Sequence, residues 1–350
     1  MSISVALCTH NGGRFVEQQV ASILDQNPAP FELVVGDDAS TDDTIAIIER
    51  LVAGKQRDDP DRAPRLTVLR HDPALGVVEN FAATIAACAG DLIALSDQDD
   101  VWRAGKLAAL AGAFGDDPAL LLAHTDARLV DGEGRSLGLT LLDALEVTPA
   151  ERQGLEAGEA LAVLLRRNLV TGATVMLRRD VRDAALPFPH DWLHDEWLAV
   201  IAASVGRLRL LPEPLIDYRQ HGGNQIGARR PTLVDKVARL REPRAERAAR
   251  LARRTAALAE RGRLLGVAAE VQTQLDAKAD HEQRRARLPR VRLARVPAVV
   301  GGAMVGRYSR YSRGAMDALR DLTAPAGDLP VMTVAEQGRP APAPTDRSAE

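Results

Sequence analysis

Two cysteines in 350 residues, Cys8 and Cys88, exclude a disulfide framework and a cysteine-rich zinc cluster. Both lie in apolar runs, where buried thiols are expected. Aromatic residues make up only 3% of the chain. No Gly-x-Gly-x-x-Gly follows the first apolar run and no Gly-Lys-Ser/Thr loop occurs, so dinucleotide-binding and P-loop readings lose their main support. The start, Met1 to Leu7, has neither a basic segment nor a long apolar core. It reads as the first strand of a mature cytosolic protein rather than as a signal peptide. The longest late apolar stretch, residues 296–306, is too short to span a bilayer.

What is present is an apolar fraction of 46%, enough to fill a real core. The net charge of −3 hides a division. Residues 226–313 hold 22 Lys and Arg against 8 Asp and Glu, a surplus of +14, and the remainder carries −17. An acidic body thus bears a basic appendage.

Along the first hundred residues, short apolar runs alternate with helical spacings. Residues 4–9, 31–36, 66–70 and 92–96 read as strands, and 15–26, 44–51 and 77–89 as helices. Ser40 or Thr41 is expected to cap the second helix. This alternation predicts an α/β fold, a mostly parallel sheet covered by helices on both faces. Ligands of such sheets bind beyond the carboxyl ends of the strands. Each predicted strand ends there in a polar cluster: Thr9-His10-Asn11, Asp37-Asp38, Arg70-His71-Asp72 and Asp97-Gln98-Asp99-Asp100.

The last cluster admits two readings. Asp97 and Asp99, two residues apart, can face one locus on an extended chain, and paired carboxylates suit Mg²⁺ or Mn²⁺ bridging to a diphosphate. Acids also favour a helix N-terminus, here before Val101-Trp102. Asp37-Asp38 can accept from a ribose hydroxyl or a pyrimidine N–H, or form a capping turn with Ser40 and Thr41. Asp191-Trp192-Leu193-His194-Asp195-Glu196-Trp197 precedes a helical run. Asp195 there is either a general base at the mouth of an apolar pocket or part of a capped helix with tryptophans in the core. His221, beside Gly222-Gly223, is a third metal ligand, a phosphate contact or a structural histidine, and Arg219 can neutralise diphosphate charge.

In this order the blocks resemble the inverting family 2 glycosyltransferases of GT-A fold, across roughly residues 3–227. Residues 5–12 look like that family's opening strand and loop, 32–42 like its nucleoside-binding stretch, and 95–102 with Lys106-Leu107 like its metal-binding DXD region. The Asp-Gln-Asp-Asp-x-Trp form, with the His-Asp-Glu-Trp and Tyr-Arg-Gln-His-Gly-Gly-Asn blocks, is most similar to the bacterial rhamnosyltransferase-like branch. The resemblance implies that Asp38 holds the base and that Thr9, Asn11 and Glu17 border the nucleoside, with Asp97 assisting. It implies Asp99 and His221 at a Mg²⁺ or Mn²⁺ ion and the diphosphate, and Asp195 as general base. Asn168, Thr171, Gly172 and Trp197 fall on the acceptor side. Gly36 stands where the family carries a larger apolar residue, a departure expected to loosen that strand end.

The implied activity is single-displacement transfer of a sugar, rhamnose on the branch likeness, from a dTDP-, UDP- or GDP-linked donor. The acceptor would be a hydroxyl of a polysaccharide or lipid-linked glycan. A sugar-phosphate nucleotidyltransferase and a membrane-anchored sugar-nucleotide-binding protein with a degenerate site are the competing readings. The expected organisation is a catalytic domain over 1–227, a helical basic region over 228–325 and a disordered tail over 326–350. The spacings Leu233-Val237-Leu240 and Leu251-Leu258-Leu265 are helical. Residues 284–313 hold nine Arg and no acid, interleaved with Leu, Val, Met304, Tyr308 and Tyr311. That composition suits an anionic membrane surface, reached through residues 228–313 by a cytoplasmic protein bound peripherally to the inner face. It also suits packing on the acidic body. No motif supports nucleic acid as a partner.

Overall fold

A computed structural model describes residues 1–115, 117–221 and 244–326. Four parallel strands form its first half: β1 (Ile3–Thr9), β2 (Glu32–Asp38), β3 (Arg65–His71) and β4 (Leu92–Ser96). Each central strand is buried on both faces because its period-two alternation is apolar on both sides. Val5, Leu7, Leu33, Val35 and Ala94 meet helices α1 (Val16–Leu24), α2 (Thr44–Asp58) and α4 (Lys106–Ala113). Ala6, Val34, Ile93 and Leu95 face the other way, onto α3 (Val77–Ala87) and α9 (His194–Val205).

The second half adds β5 (Val101–Trp102), β6 (Leu120–Val130), β7 (Ser136–Thr140), β8 (Val175–Arg178) and β9 (Arg207–Arg219). Between β7 and β8 lie α5 (Leu141–Ala144), α6 (Pro149–Glu156) and α7 (Ala160–Leu164), and α8 (Arg179–Ala185) follows β8. The strand order is β3-β2-β1-β4-β8-β6-β9-β5, with β7 paired to β6. The plan is α/β as expected, but the sheet is only half parallel, not mostly so: four pairings run parallel and four antiparallel. The alternating strand–helix signal stops near residue 113. Beyond it, β6 turns directly into β7 at Gly134, whose φ is +82°, and so tight a connection joins only antiparallel neighbours. β9 runs through Pro212 and Pro214, where the sequence marks a break; register shifts opposite Thr125 and Asp126 absorb them.

Helices also fill the described part of the basic region: α10 (Arg244–Leu265), α11 (Ala269–Ala286), α12 (Arg292–Met304), α13 (Arg307–Tyr311) and α14 (Ala315–Thr323). Leu258, Ala259 and Leu275 enter the same core as Trp197 and Leu198. The 227/228 boundary, the spacing Leu233-Val237-Leu240, and the tail from 327 on lie outside the described residues. Among the described residues, no helix is long and apolar enough to cross a membrane.

Candidate active site

Loops after β1, β2 and β4 interlock at one sheet edge. Thr9 Oγ1 and Ser40 Oγ both donate to Asp37 Oδ1, at 2.7 and 2.6 Å. Asn11 accepts from Thr41 N at 2.8 Å, and its own N–H donates to Ser40 Oγ at 2.8 Å. Asn11 takes a φ of +48°, a left-handed turn that asparagine tolerates. Ser40 and Thr41 therefore bind these loops and do not cap α2, which starts at Thr44, beside Asp42. Asp38 accepts from the N–H groups of Leu75 and Gly76 at 2.6 and 2.9 Å, which holds the entry to α3.

Gln98 joins the first loop to the fourth. Its amide accepts from His10 N at 2.9 Å and donates to His10 O at 3.0 Å, as a sheet neighbour would. Gly12 makes this possible, because a Cβ there would overlap the Gln98 side chain. Gly36 has a similar cause. A Cβ would overlap Thr84 Oγ1 and Asn80 Oδ1, and Asn80 Nδ2 donates to Gly36 O at 2.9 Å. The expected loosening of this strand end is thus corrected: polar groups of α3 fill the space.

The acidic loop 97–100 is not a helix start. Val101 and Trp102 form β5, and α4 begins only at Lys106. β5 runs antiparallel to β9 with Val101 opposite Asp217, so the register carried outward sets Asp100 and Asp99 against Tyr218 and Arg219. Arg219 N donates to Asp100 Oδ1 at 2.9 Å, and its guanidinium holds Asp99 O, Gly132 O and Gln18 Oε1. Arg219 is buried over the Phe15 ring, so its expected role against diphosphate charge is corrected to a structural latch.

Two residues on, His221 Nε2 lies 2.8 Å from Asp99 Oδ2, its ring stacked on Phe15 at 4.7 Å. The sequence reading missed Phe15, one of only five phenylalanines. Among the described residues no three His, Cys, Asp or Glu side chains close on a single metal point. The chain therefore offers Asp99 and His221 as a partial donor pair.

Burial, then the charges of Asp99 and Asp195, pushes Asp97 up to about 7. Asp100 is also raised, by burial and then by Asp99 and Asp97. Lys106, fully buried over Trp102 and donating to Ala173 O at 2.7 Å, is lowered by burial to about 7, against the pull of Asp100 and Asp97. Lys106 thus moderates the acid cluster from below.

Asp195 sits in the first turn of α9. Its carboxylate accepts from Glu196 N at 2.7 Å and Gly172 N at 3.2 Å. Burial raises it to about 6 despite those bonds and Arg254. A Cβ on Gly172 would come within 2.7 Å of His194 Nε2, so glycine lets this loop close on α9. His194 itself is a core residue, stacked on Phe81 at 3.7 Å and held neutral by burial, with its value lowered to about 3.

The structure brings Asp97, Asp99, His221, Asp195 and Gly172 to one region and places other expectations differently. Glu17 is exposed on α1 and pairs with Arg50 of α2 at 3.0 Å. Asn168 closes its own loop on Val170, and Thr171 O accepts from Thr174 N at 2.9 Å. Trp197, expected on the acceptor side, is corrected: it is fully buried and donates to Ala185 O at 2.8 Å. An indole at the fourth position of an α9 packed between sheet and α10 has no route to a ligand. The basic helix α10 docks there. Arg254 pairs with Glu196 and lies over Trp192 at 4.2 Å, Arg253 meets Asp191 at 2.8 Å, and Arg261 donates to three backbone carbonyls of residues 184–187.

The sheet order and its covering helices are those of a GT-A fold, which two solved structures described below share. Residues 4–174 match Glycosyl transferase family 2. A protein of Nostoc sp. strain PCC 7120, described as an uncharacterized glycosyltransferase, is 28% identical over 64% of this chain and 66% of its own length. The match thus spans just under two thirds of that relative. Two solved structures share the fold. Staphylococcus aureus TarS 1-349 in complex with UDP-GlcNAc has a TM-score of 0.52 at 20% identity, over 91% of this chain and 90% of that one. A mannosyltransferase from Pyrobaculum calidifontis in complex with GDP-Man and Mn²⁺ has a TM-score of 0.51 at 18% identity, over 87% and 75%.

Proposed function

We propose that the protein is an inverting glycosyltransferase. It moves a sugar, rhamnose on its motif likeness, from a nucleoside diphosphate donor to a hydroxyl of a polysaccharide or lipid-linked glycan. The observation that carries this reading is the meeting of Asp99 with His221 beside a second carboxylate, Asp195, raised towards neutrality. Its organisation is a catalytic domain over 1–227 and a helical basic region after it. The relatives support a nucleotide-sugar donor, since the similar structures hold UDP-GlcNAc or GDP-Man.

Asp38, Thr9 and Asn11 border the nucleoside. Their loop bonds leave free lone pairs on the Asp38 carboxylate, since it accepts one N–H at each oxygen. Asp99 and His221 fit a divalent cation such as Mg²⁺ or Mn²⁺, because an oxygen–nitrogen pair leaves coordination positions for diphosphate oxygens and water. When bound, such an ion stabilises negative charge on the leaving diphosphate. Asp195 takes the acceptor proton as the acceptor oxygen bonds to the anomeric carbon. The bond from that carbon to the diphosphate oxygen breaks on the opposite face, and its electron pair leaves with the nucleotide. One displacement inverts the anomeric centre. Gly172 N holds Asp195 in place, and Asn168 and Thr171 shape the acceptor-side loop. The setting is cytoplasmic, peripheral to the membrane that carries the acceptor.

The test is a thermal-shift panel of dTDP, UDP and GDP with and without Mn²⁺, followed by product analysis with the nucleotide that stabilises. A metal-dependent shift for one nucleotide and release of nucleoside diphosphate are expected. Release of pyrophosphate, or no nucleotide-dependent shift at all, would overturn the reading.

A further inference from the structure

Helix α12 is turned inside out relative to an ordinary surface helix. Its inward face carries Arg295, fully buried, whose guanidinium donates to the carbonyls of Pro289, Arg290, Asp321 and Ala324. Val299, one turn on, is the other buried residue. The outward face carries Leu293, Val296, Val300 and Met304, a stripe at helical spacing. Leu293 and Met304 are each 82% exposed, and Val305 beyond the helix is 62% exposed. A helix that hides arginine and shows leucine and methionine to solvent has that face for contact.

The surroundings of the stripe identify the partner. Arg287, Arg290 and Arg292 are exposed at its entry, and Arg310 and Arg313 beyond its end. Between 284 and 313 no Asp or Glu occurs. A second copy of the chain would bring the same cationic rim against itself, since a two-fold contact pairs a patch with its own image. We propose that α12 lies in the interface of an anionic bilayer, its Leu293–Met304 stripe among the acyl chains and the flanking arginines at the phosphate headgroups. This deepens the membrane-side reading above and rests on it for its purpose, which is to hold the catalytic edge near a lipid-linked acceptor.

Full-length protein floated with vesicles of phosphatidylcholine, alone or mixed with phosphatidylglycerol, tests this. Binding to the mixed vesicles and not to the neutral ones is expected, weakening as salt rises. Leu293→Glu with Met304→Glu should cut the bound fraction about tenfold or more. Arg287→Glu with Arg292→Glu should remove the salt-sensitive part. All four positions are exposed, so melting temperature should hold. The nucleotide-dependent thermal shift should also persist, which separates this proposal from that of the transferase. Absence of binding to either vesicle, equal binding by the Leu293/Met304 variant, or a dimer lost in that variant would each overturn it. Vesicle binding without any nucleotide shift would sink the transferase reading alone.

Discussion

Asp99 and His221 stand 122 residues apart in the chain and 2.8 Å apart in the fold, joined because β5 pairs antiparallel with β9. Removing either side should act on cation use before it acts on folding. Asp99→Ala is expected to abolish the metal-dependent part of nucleotide stabilisation, and His221→Ala to weaken apparent metal affinity about 10–100-fold. Titrating Mn²⁺ against a fixed nucleotide by thermal shift measures both. Unchanged metal dependence in Asp99→Ala would remove the cation from this pair.

Asp195 should govern the acid limb of activity. A general base must be ionised, and this carboxyl is raised by burial to about 6. Transfer should therefore rise with pH up to about 6 and level off above it. Asp195→Asn should lower kcat about 10²–10⁴-fold with nucleotide binding retained. Initial rates from pH 5 to 8 decide the matter; an acid limb centred near 4 would exclude Asp195.

The same shift carries a stability consequence of definite sign. A folded-state value above the unfolded one means that the native protein binds more protons in the window from about 4 to 6. Asp195 therefore favours folding below that window, and the benefit is lost as pH rises through it. Asp195→Asn should be more stable than wild type at pH 8, by about 1–2 kcal/mol, and show no such gain at pH 4. Urea unfolding at the two pH values reads the difference.

Arg254 ties the basic helix to the acid of the neighbouring position, Glu196, and also lowers Asp195. Arg254→Ala should cost about 1–3 kcal/mol, since Glu196 is left partly buried without its partner. It should also move the acid limb of the rate profile to higher pH. A destabilised variant with an unmoved limb would make Arg254 purely structural.

Gly36→Ala should destabilise by about 1–3 kcal/mol, because α3 has no room for the added methyl. Denaturant midpoints measure this. A neutral result would mean that Thr84 and Asn80 can turn away.

Local pattern made half of this legible. The parallel strands could be read because each is a short apolar run ending in polar residues, and the strand ends located the acids without any knowledge of the fold. Asp37 and Asp38 look alike in sequence, yet one binds the loop of Thr9 and Ser40 and the other the entry to α3. Only partners remote in the chain separate them. Arg219 looked like a diphosphate ligand because its charge is visible and its burial is not. Trp197 looked like a pocket wall for the same reason: an indole after two acids gives no sign of which side of a helix faces the core. The docking of α10 depends on Arg254 meeting Glu196 across 58 residues, and the antiparallel half of the sheet on a turn at Gly134, neither of which periodicity records.

The reciprocal bonds between Gln98 and the His10 backbone make two loops mechanically one. On the proposed assignment the first loop lies on the nucleoside side and the other carries the carboxylate that would hold the cation. A displacement of either is felt by its neighbour, so nucleoside and cation should bind as thermodynamically linked ligands, each raising affinity for the other by the same factor. Gln98→Ala should uncouple them while sparing each contact, turning a cooperative pair into two independent guests.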